Sequence, residues 1–317
     1  MLSEMQYIYI IYQERSFSKA AKKLYISQPA LSAMVKKVEQ KIGHLIFDRN
    51  TIPLSVTKEG KYYIKCIENI LEIERNMQDY FDDLGKLNSG NIVIGGSSFF
   101  CAFILPKMIE KFNIKYPKVK IEVIEGNIKE LKEGLLNNSI DIIIETAISE
   151  KDEKLKTYFY KNEHILLAVP KKWDINDELK EYQLTCEDIK HSKYLNNDIK
   201  EVSLEKFKNF PFITMKKGND QYIRGLALCK KAGFTPKSIY KIDQILTGYH
   251  IAVSTLSAVL FVRDLLITNE QETEKLVYYK LDKELSTRKI YFAVKESSYT
   301  SNAVKEFIKM ACPNIKF

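Results

Sequence analysis

Five residues between positions 27 and 36 carry the chemistry that stands out first: Ser27, Gln28, Pro29, Ser32 and Lys36. A glutamine amide pairs a donor with an acceptor as a base edge does. A serine hydroxyl fills either role, and a lysine ammonium meets phosphate. Leu31, Val35, Val38 and Ile42 recur at helical spacing in the same stretch and are predicted to face inward. Pro29, Ser32, Ala33, Lys36 and Gln40 then point outward, with Gln28 at the leading end. A helix presenting Gln, Ser and Lys from its N-terminal half suits the DNA major groove.

The elements that must position these side chains read as two short helices and a tight turn. Ser18 is the expected N-cap of the first helix and Ser27 of the second, with Pro29 in its first turn, where a missing N–H costs nothing. Ala20 and Ala21 leave room for a close helix crossing. An ordinary amphipathic hairpin shares this pattern when it stands alone. Charge adds to the reading: residues 1–60 hold nine Lys/Arg against five Asp/Glu, a local +4 within a chain of 317 residues and net charge +8. Such asymmetry favours phosphate contacts.

After Thr57 a helical pattern runs to about Leu87. Tyr63, Ile70, Met77 and Leu84 recur every seven residues, with Ile67 and Phe81 on the companion spine and Glu74 interrupting it. Roughly thirty helical residues span about 45 Å. The stripe reads as a dimerisation seam, the alternative being a helix packed on its own domain.

Asn88-Ser89-Gly90 ends that pattern, and short apolar strands then alternate with helices up to Ile140–Ile144. A second set begins at Ile165–Pro170, and the segments from Tyr278 onward are expected to return to the first set. Alternation at these spacings implies two α/β lobes with a cleft between them. Ligands bind such sheets beyond the carboxyl ends of their strands. Ser97 and Ser98 after the first strand, Asn127 after the second, Thr146 after the third and Thr214 in the second lobe are candidate ligand contacts, with Phe99 as an aromatic wall. Each of the polar residues is also a common cap or turn residue.

The order Ser16-Phe17, Ala20-Ala21, Leu24, Ser27-Gln28-Pro29-Ala30-Leu31-Ser32, Glu39, Gly43, Ile46-Phe47, Arg49, Pro53, Thr57 and Gly60 resembles the winged helix-turn-helix of LysR-type transcriptional regulators. Gly95-x-Ser97, Leu105-Pro106, Tyr116-Pro117, Pro211-Phe212 and Gly233-Phe234-x-Pro236 are similar to that family's effector-binding part, itself like type 2 periplasmic binding proteins. The resemblance covers essentially the whole chain. It implies a winged helix-turn-helix head over 1–60 and a linker and dimerisation helix over 61–88. Effector lobe I follows over 89–163 with a return segment 268–317, and lobe II over 164–267. It implies DNA contacts from the helix at 28–41 and from Arg49, Thr51 and Pro53 of the wing, on an interrupted palindromic operator. It implies a small-molecule effector such as a carboxylate in the cleft, a homodimer or homotetramer, and RNA polymerase as a further partner.

Other classes find little support in the residues. Five scattered cysteines without a C-x-x-C pair and four histidines without metal-ligand spacing lead to no expected metal or cofactor. No nucleophile with a nearby base is visible, so no catalytic role is expected. A solute-binding or enzymatic α/β domain with an accessory DNA-binding head, or a regulator with a vestigial pocket, is the alternative. Met1-Leu2-Ser3-Glu4 lacks a signal-peptide start and no run is long enough to span a bilayer, so a cytoplasmic protein is expected.

Overall fold

The computed structural model describes residues 2–83, 90–146, 148–269, 274–296, 299–313 and 315. The chain divides into two compact units, Met1–Leu84 and Gly85–Phe317.

In the first unit, α1 (Leu2–Glu14), α2 (Phe17–Lys23) and α3 (Gln28–Ile42) enclose a core of Ile8, Ile11, Ala20, Ala21, Leu31, Val35 and Val38. The cap of α2 is Ser16, not Ser18. Ser16 has extended backbone and its Oγ accepts the Lys19 N–H at 3.4 Å, which leaves Ser18 exposed one residue inside the helix. Ser27 caps α3, accepting the Ala30 N–H at 3.3 Å. Gly43 ends α3 with φ +75°, a left-handed stop that leaves Ile42 exposed instead of inward. A two-residue hairpin, β1 (Phe47–Asp48) against β2 (Ser55–Val56), forms the wing.

The helix α4 (Lys58–Asp83) starts where Thr57 Oγ1 accepts the Gly60 N–H and donates to the Leu45 carbonyl. A Cβ at Gly60 would lie 2.0 Å from the Ile46 carbonyl oxygen, so only glycine allows this crossing. The apolar stripe of α4 divides. Ile64 and Ile67 are buried in the core of this unit, with Tyr63 and Leu71 packed against it. Ile67 is thus covered within its own chain, which removes it from a free dimer seam. Ile70 is half-buried, while Ile73, Met77, Tyr80 and Phe81 are exposed. Leu84 lies outside the described residues.

The second unit opens with β3 (Gly90–Gly96), α5 (Ser98–Phe103), α6 (Leu105–Lys115), β4 (Val119–Glu125), α7 (Ile128–Leu136) and β5 (Ile142–Glu145). It continues through β6 (Leu155–Pro170), α8 (Ile175–Glu178), β7 (Gln183–Leu184), α9 (Cys186–Lys190), β8 (Pro211–Met215), α10 (Asp220–Lys231), β9 (Lys237–Ile242) and α11 (Ile245–Thr255). The last elements are β10 (Val259–Arg263), α12 (Asp264–Asn269), β11 (Leu276–Lys280), α13 (Lys283–Ser286), β12 (Thr287–Lys295) and α14 (Asn302–Ala311).

Strands β4, β3 and β5 run parallel, and β12 joins them antiparallel in lobe I. The 16-residue β6 passes from one lobe to the other. Its first part pairs with β12, and its second part pairs with β10 and β11 in lobe II, where β8 and β9 complete the sheet. The return to lobe I differs from the expected 268–317. β11 pairs with β6 and β7 inside lobe II, so the returning strand is β12, from Thr287. An apolar strand is compatible with either sheet, and its partner is chosen by tertiary packing. Among the described residues no helix is long and apolar enough to cross a membrane.

Candidate functional site

On the first unit, Ser27, Gln28, Pro29 and Lys36 are exposed along the leading half of α3. Ser32 is half-buried and its Oγ accepts a hydrogen bond from Arg49 Nη1 at 3.0 Å. Arg49 Nη2 also donates to Glu39 Oε2 at 3.1 Å. Glu39 is buried, and its Oε1 accepts the backbone N–H groups of Ile46 and Phe47 at 2.8 and 3.3 Å. One carboxylate thereby ties α3 to the start of the wing and orients the wing arginine beside Ser32. The Arg49 guanidinium also lies 5.1 Å from the centre of the Phe17 ring. Thr51 Oγ1 accepts the Ser55 N–H at 2.9 Å and donates to the Asp48 carbonyl, closing the wing turn, and Pro53 is exposed at its tip.

In the second unit a cavity of about 490 Å³ lies between the lobes. Lobe I contributes Ser97, Ser98, Glu125, Asn127, Glu145 and Thr146. Lobe II contributes Asn219, Asp220, Asp243 and Gln244, and the floor is made by Arg263 and Arg288. These residues stand at strand ends and the turns that follow, where an α/β sheet binds its ligands.

The floor is a buried charge cluster at the strands that cross between lobes. Glu163 on β6 is fully buried directly opposite Arg288 on β12. Arg288 Nη2 lies 2.9 Å from Glu163 Oε1, an ion pair whose angles fall outside hydrogen-bond geometry, and its Nη1 donates to Asp220 Oδ2 at 2.8 Å. Burial opposes the charge of Arg288, but Glu163 and Asp220 hold its pKa above the ordinary value. Asp220 is pushed up by burial, yet the Arg288 and Arg224 guanidiniums outweigh this and hold it low.

Arg263 is placed differently. Its guanidinium lies over the Phe99 ring at 4.3 Å and the Phe100 ring at 5.1 Å. Its Nε is a loose 3.7 Å from Glu163 Oε2. Nε and Nη1 have no hydrogen-bond partner among the described residues. Burial depresses its pKa. Above it, Glu145 Oε1 accepts the Ser97 N–H at 3.0 Å and Oε2 accepts the Thr146 N–H at 3.1 Å. Burial pushes the Glu145 carboxyl up, only partly offset by Arg263 and these N–H groups.

Of the candidates read from the sequence, Ser97, Ser98, Asn127 and Thr146 line this cavity. The Ser97 Oγ is buried beside Glu145, whereas Ser98 donates to Glu125 at 2.7 Å. The Asn127 side chain caps α7, accepting the N–H groups of Lys129 and Glu130. Phe99 is buried beneath Arg263 rather than lining the cavity. Thr214 lies outside it, bonded to Ser238 at 2.7 Å and facing a separate pocket beside Met215 and Tyr222. Glu145, Glu163, Arg263 and Arg288 escaped the sequence reading. Their signal is a charge abutting an apolar strand run, as in Ile142–Glu145 and Val259–Arg263.

Comparison with known proteins matches residues 2–61 to the family described as "Bacterial regulatory helix-turn-helix protein, lysR family". Residues 85–312 match "LysR substrate binding domain". The chain is 24% identical over 320 residues to the uncharacterized HTH-type transcriptional regulator YcgK of Bacillus subtilis, covering 98% of this chain and 94% of that protein. Full-length OxyR from Pseudomonas aeruginosa shares the fold at TM-score 0.71 and 18% identity, over 98% of this chain and 94% of that one. So does full-length CbnR complexed with its target DNA, at TM-score 0.62 and 15% identity, over 98% of both chains.

Proposed function

Because the chain belongs to the LysR family of transcriptional regulators, we propose that it reads an interrupted palindromic operator through α3 and the wing, under control of a small molecule held between the effector lobes. Gln28, Pro29 and Ser32 contact the major groove, with Ser27 at the helix start and Lys36 on the adjacent phosphates. Arg49, Thr51 and Pro53 bring the wing to the adjacent backbone and groove. Two heads on successive groove faces require a homodimer, and pairing of dimers extends the contact to a homotetramer. The protein works in the cytoplasm beside RNA polymerase and performs no catalysis. Ser97, Ser98, Asn127 and Thr146 contact the effector, which acts by its differential affinity for open and closed lobes.

The observation that carries this reading is the exposure of Gln28, Pro29 and Lys36 on one helix whose capping residue and partner helix hold it outward. The CbnR structure holds its target DNA with the same fold. The test is a footprint and gel-shift titration on DNA upstream of the regulator's own gene. Gln28→Ala and Ser32→Ala are each expected to cost about 1–3 kcal/mol at the specific site. Lys36→Ala should weaken all DNA alike and lower the salt slope by about one. Unchanged operator affinity in both Gln28→Ala and Ser32→Ala would overturn the assignment.

A further inference from the structure

The inter-lobe cavity carries more acid than base. Four carboxylates line it (Glu125, Glu145, Asp220 and Asp243) against two guanidiniums, Arg263 and Arg288. Arg288 is engaged on both sides by Glu163 and Asp220. The backbone N–H groups of Ser97 and Thr146, which an anion would otherwise use, already hold Glu145. One strong anion anchor remains. Arg263 is 8% exposed, its Nε and Nη1 are buried without a hydrogen-bond partner among the described residues, and its guanidinium lies 4.3 Å from the centre of the Phe99 ring. A desolvated guanidinium in this state favours a carboxylate strongly. Ser97 supplies a second polar group in the same cavity.

A ligand with two anionic groups would meet the surplus carboxylates. A ligand with none would leave Arg263 with only its 3.7 Å approach to Glu163. Building on the effector reading above, we propose that the cavity binds a zwitterionic amino acid, with its carboxylate on Arg263 and its ammonium among the acidic side chains, and that basic amino acids bind better than acidic ones. Asp243, which follows β9 and pairs with Lys216 at 2.6 Å, and Glu125, at the end of β4, where it accepts from Ser98, bring negative charge from opposite lobes. A ligand cation between them would draw the lobes together. The cavity volume of about 490 Å³ accommodates an amino acid with an extended side chain.

The test is a thermal-shift and calorimetric series on the full-length protein, read by the fluorescence of Trp173, its sole tryptophan. The probes are L-lysine, L-arginine, L-glutamine, L-glutamate, cadaverine, succinate and benzoate. Lysine or arginine is expected to raise the midpoint by about 2–5 °C at saturating concentration. Glutamate, cadaverine, succinate and benzoate should leave it unchanged. Asp243→Asn, at an exposed position, should melt like the wild type alone and bind lysine about tenfold more weakly. Arg263→Gln should lose the carboxylate requirement altogether. Stabilisation by succinate or benzoate with inert amino acids would overturn the zwitterion assignment and leave the effector reading standing. Silence from every probe, with operator binding indifferent to all of them, would overturn the amino-acid assignment.

Discussion

Asp264 shows how far one side chain departs from its surface behaviour. It is buried at the start of α12, where Oδ2 accepts from Tyr194 Oη at 2.6 Å and Oδ1 from the Leu265 N–H at 2.7 Å. Burial raises its pKa to about 6, with the Tyr194 hydrogen bond pulling the other way and the Glu163 charge adding to the rise. The folded state therefore holds this proton more tightly than the unfolded chain. The stabilisation is fully present below the ordinary aspartate range and is lost as pH rises through about 6. Two pH units of difference correspond to about 3 kcal/mol as an upper bound. Asp264→Asn has no such proton to lose. The urea midpoint of the wild type, reported by Trp173, is expected to fall relative to that of the variant between about pH 4.5 and pH 7. Equal changes in the two proteins would rule this out. The comparison must be made against the wild type, because Asp220, whose pKa is lowered, contributes in the opposite sense.

The wing and α3 behave as one element because of Glu39. The carboxylate answers two buried backbone N–H groups at the start of the wing and pairs with Arg49, which in turn holds Ser32. Glu39→Gln keeps an acceptor and loses the ion pair, at a cost of about 1 kcal/mol given that Arg49 is partly exposed. Glu39→Ala leaves both N–H groups unanswered in the interior, at about 2–4 kcal/mol. Thermal unfolding followed by far-UV circular dichroism should rank the three proteins in that order. An alanine variant as stable as the glutamine variant would show that the carboxylate does not organise this junction. Glu39, Ile46-Phe47 and Arg49 were legible in sequence as family markers. Their contact was not, since it depends on the chain reversing after Gly43.

At the scale of the whole molecule, the exposed half of α4 asks for a cover. Ile73, Met77, Tyr80 and Phe81 recur at helical spacing and are between 52% and 68% exposed, a contiguous apolar stripe that water alone solvates poorly. A second copy of the chain is the occupant expected of a regulator that reads two half-sites. Light scattering at micromolar concentration should give at least a dimer, and Met77→Glu combined with Phe81→Glu should shift it toward monomer. A wild-type monomer under those conditions would end the proposal. Here the sequence pattern was half informative. Heptad spacing is the same whether a stripe covers the helix's own domain or a partner. Tyr63 and Ile67 turned to the former, Met77 and Phe81 remain open, and Ile70 sits between them.

The sequence by itself determined what depends on neighbours a few residues away: the cap of α3 at Ser27, the alternation of strand and helix, and the outward face of α3. Periodicity and capping are local, so their signals survive without knowledge of the fold. Only the tertiary structure decided that β11 joins lobe II, that Thr214 turns away from the cleft, and that Phe99 lies under a guanidinium. The same holds for the cluster of Glu145, Glu163, Arg263 and Arg288. Those side chains come from four strands, and no local pattern encodes which strand ends a twisted sheet brings together. Glu163 and Arg288 can be buried because they pair across the sheet, and Glu145 because two backbone N–H groups answer it, conditions that exist once the sheet has formed.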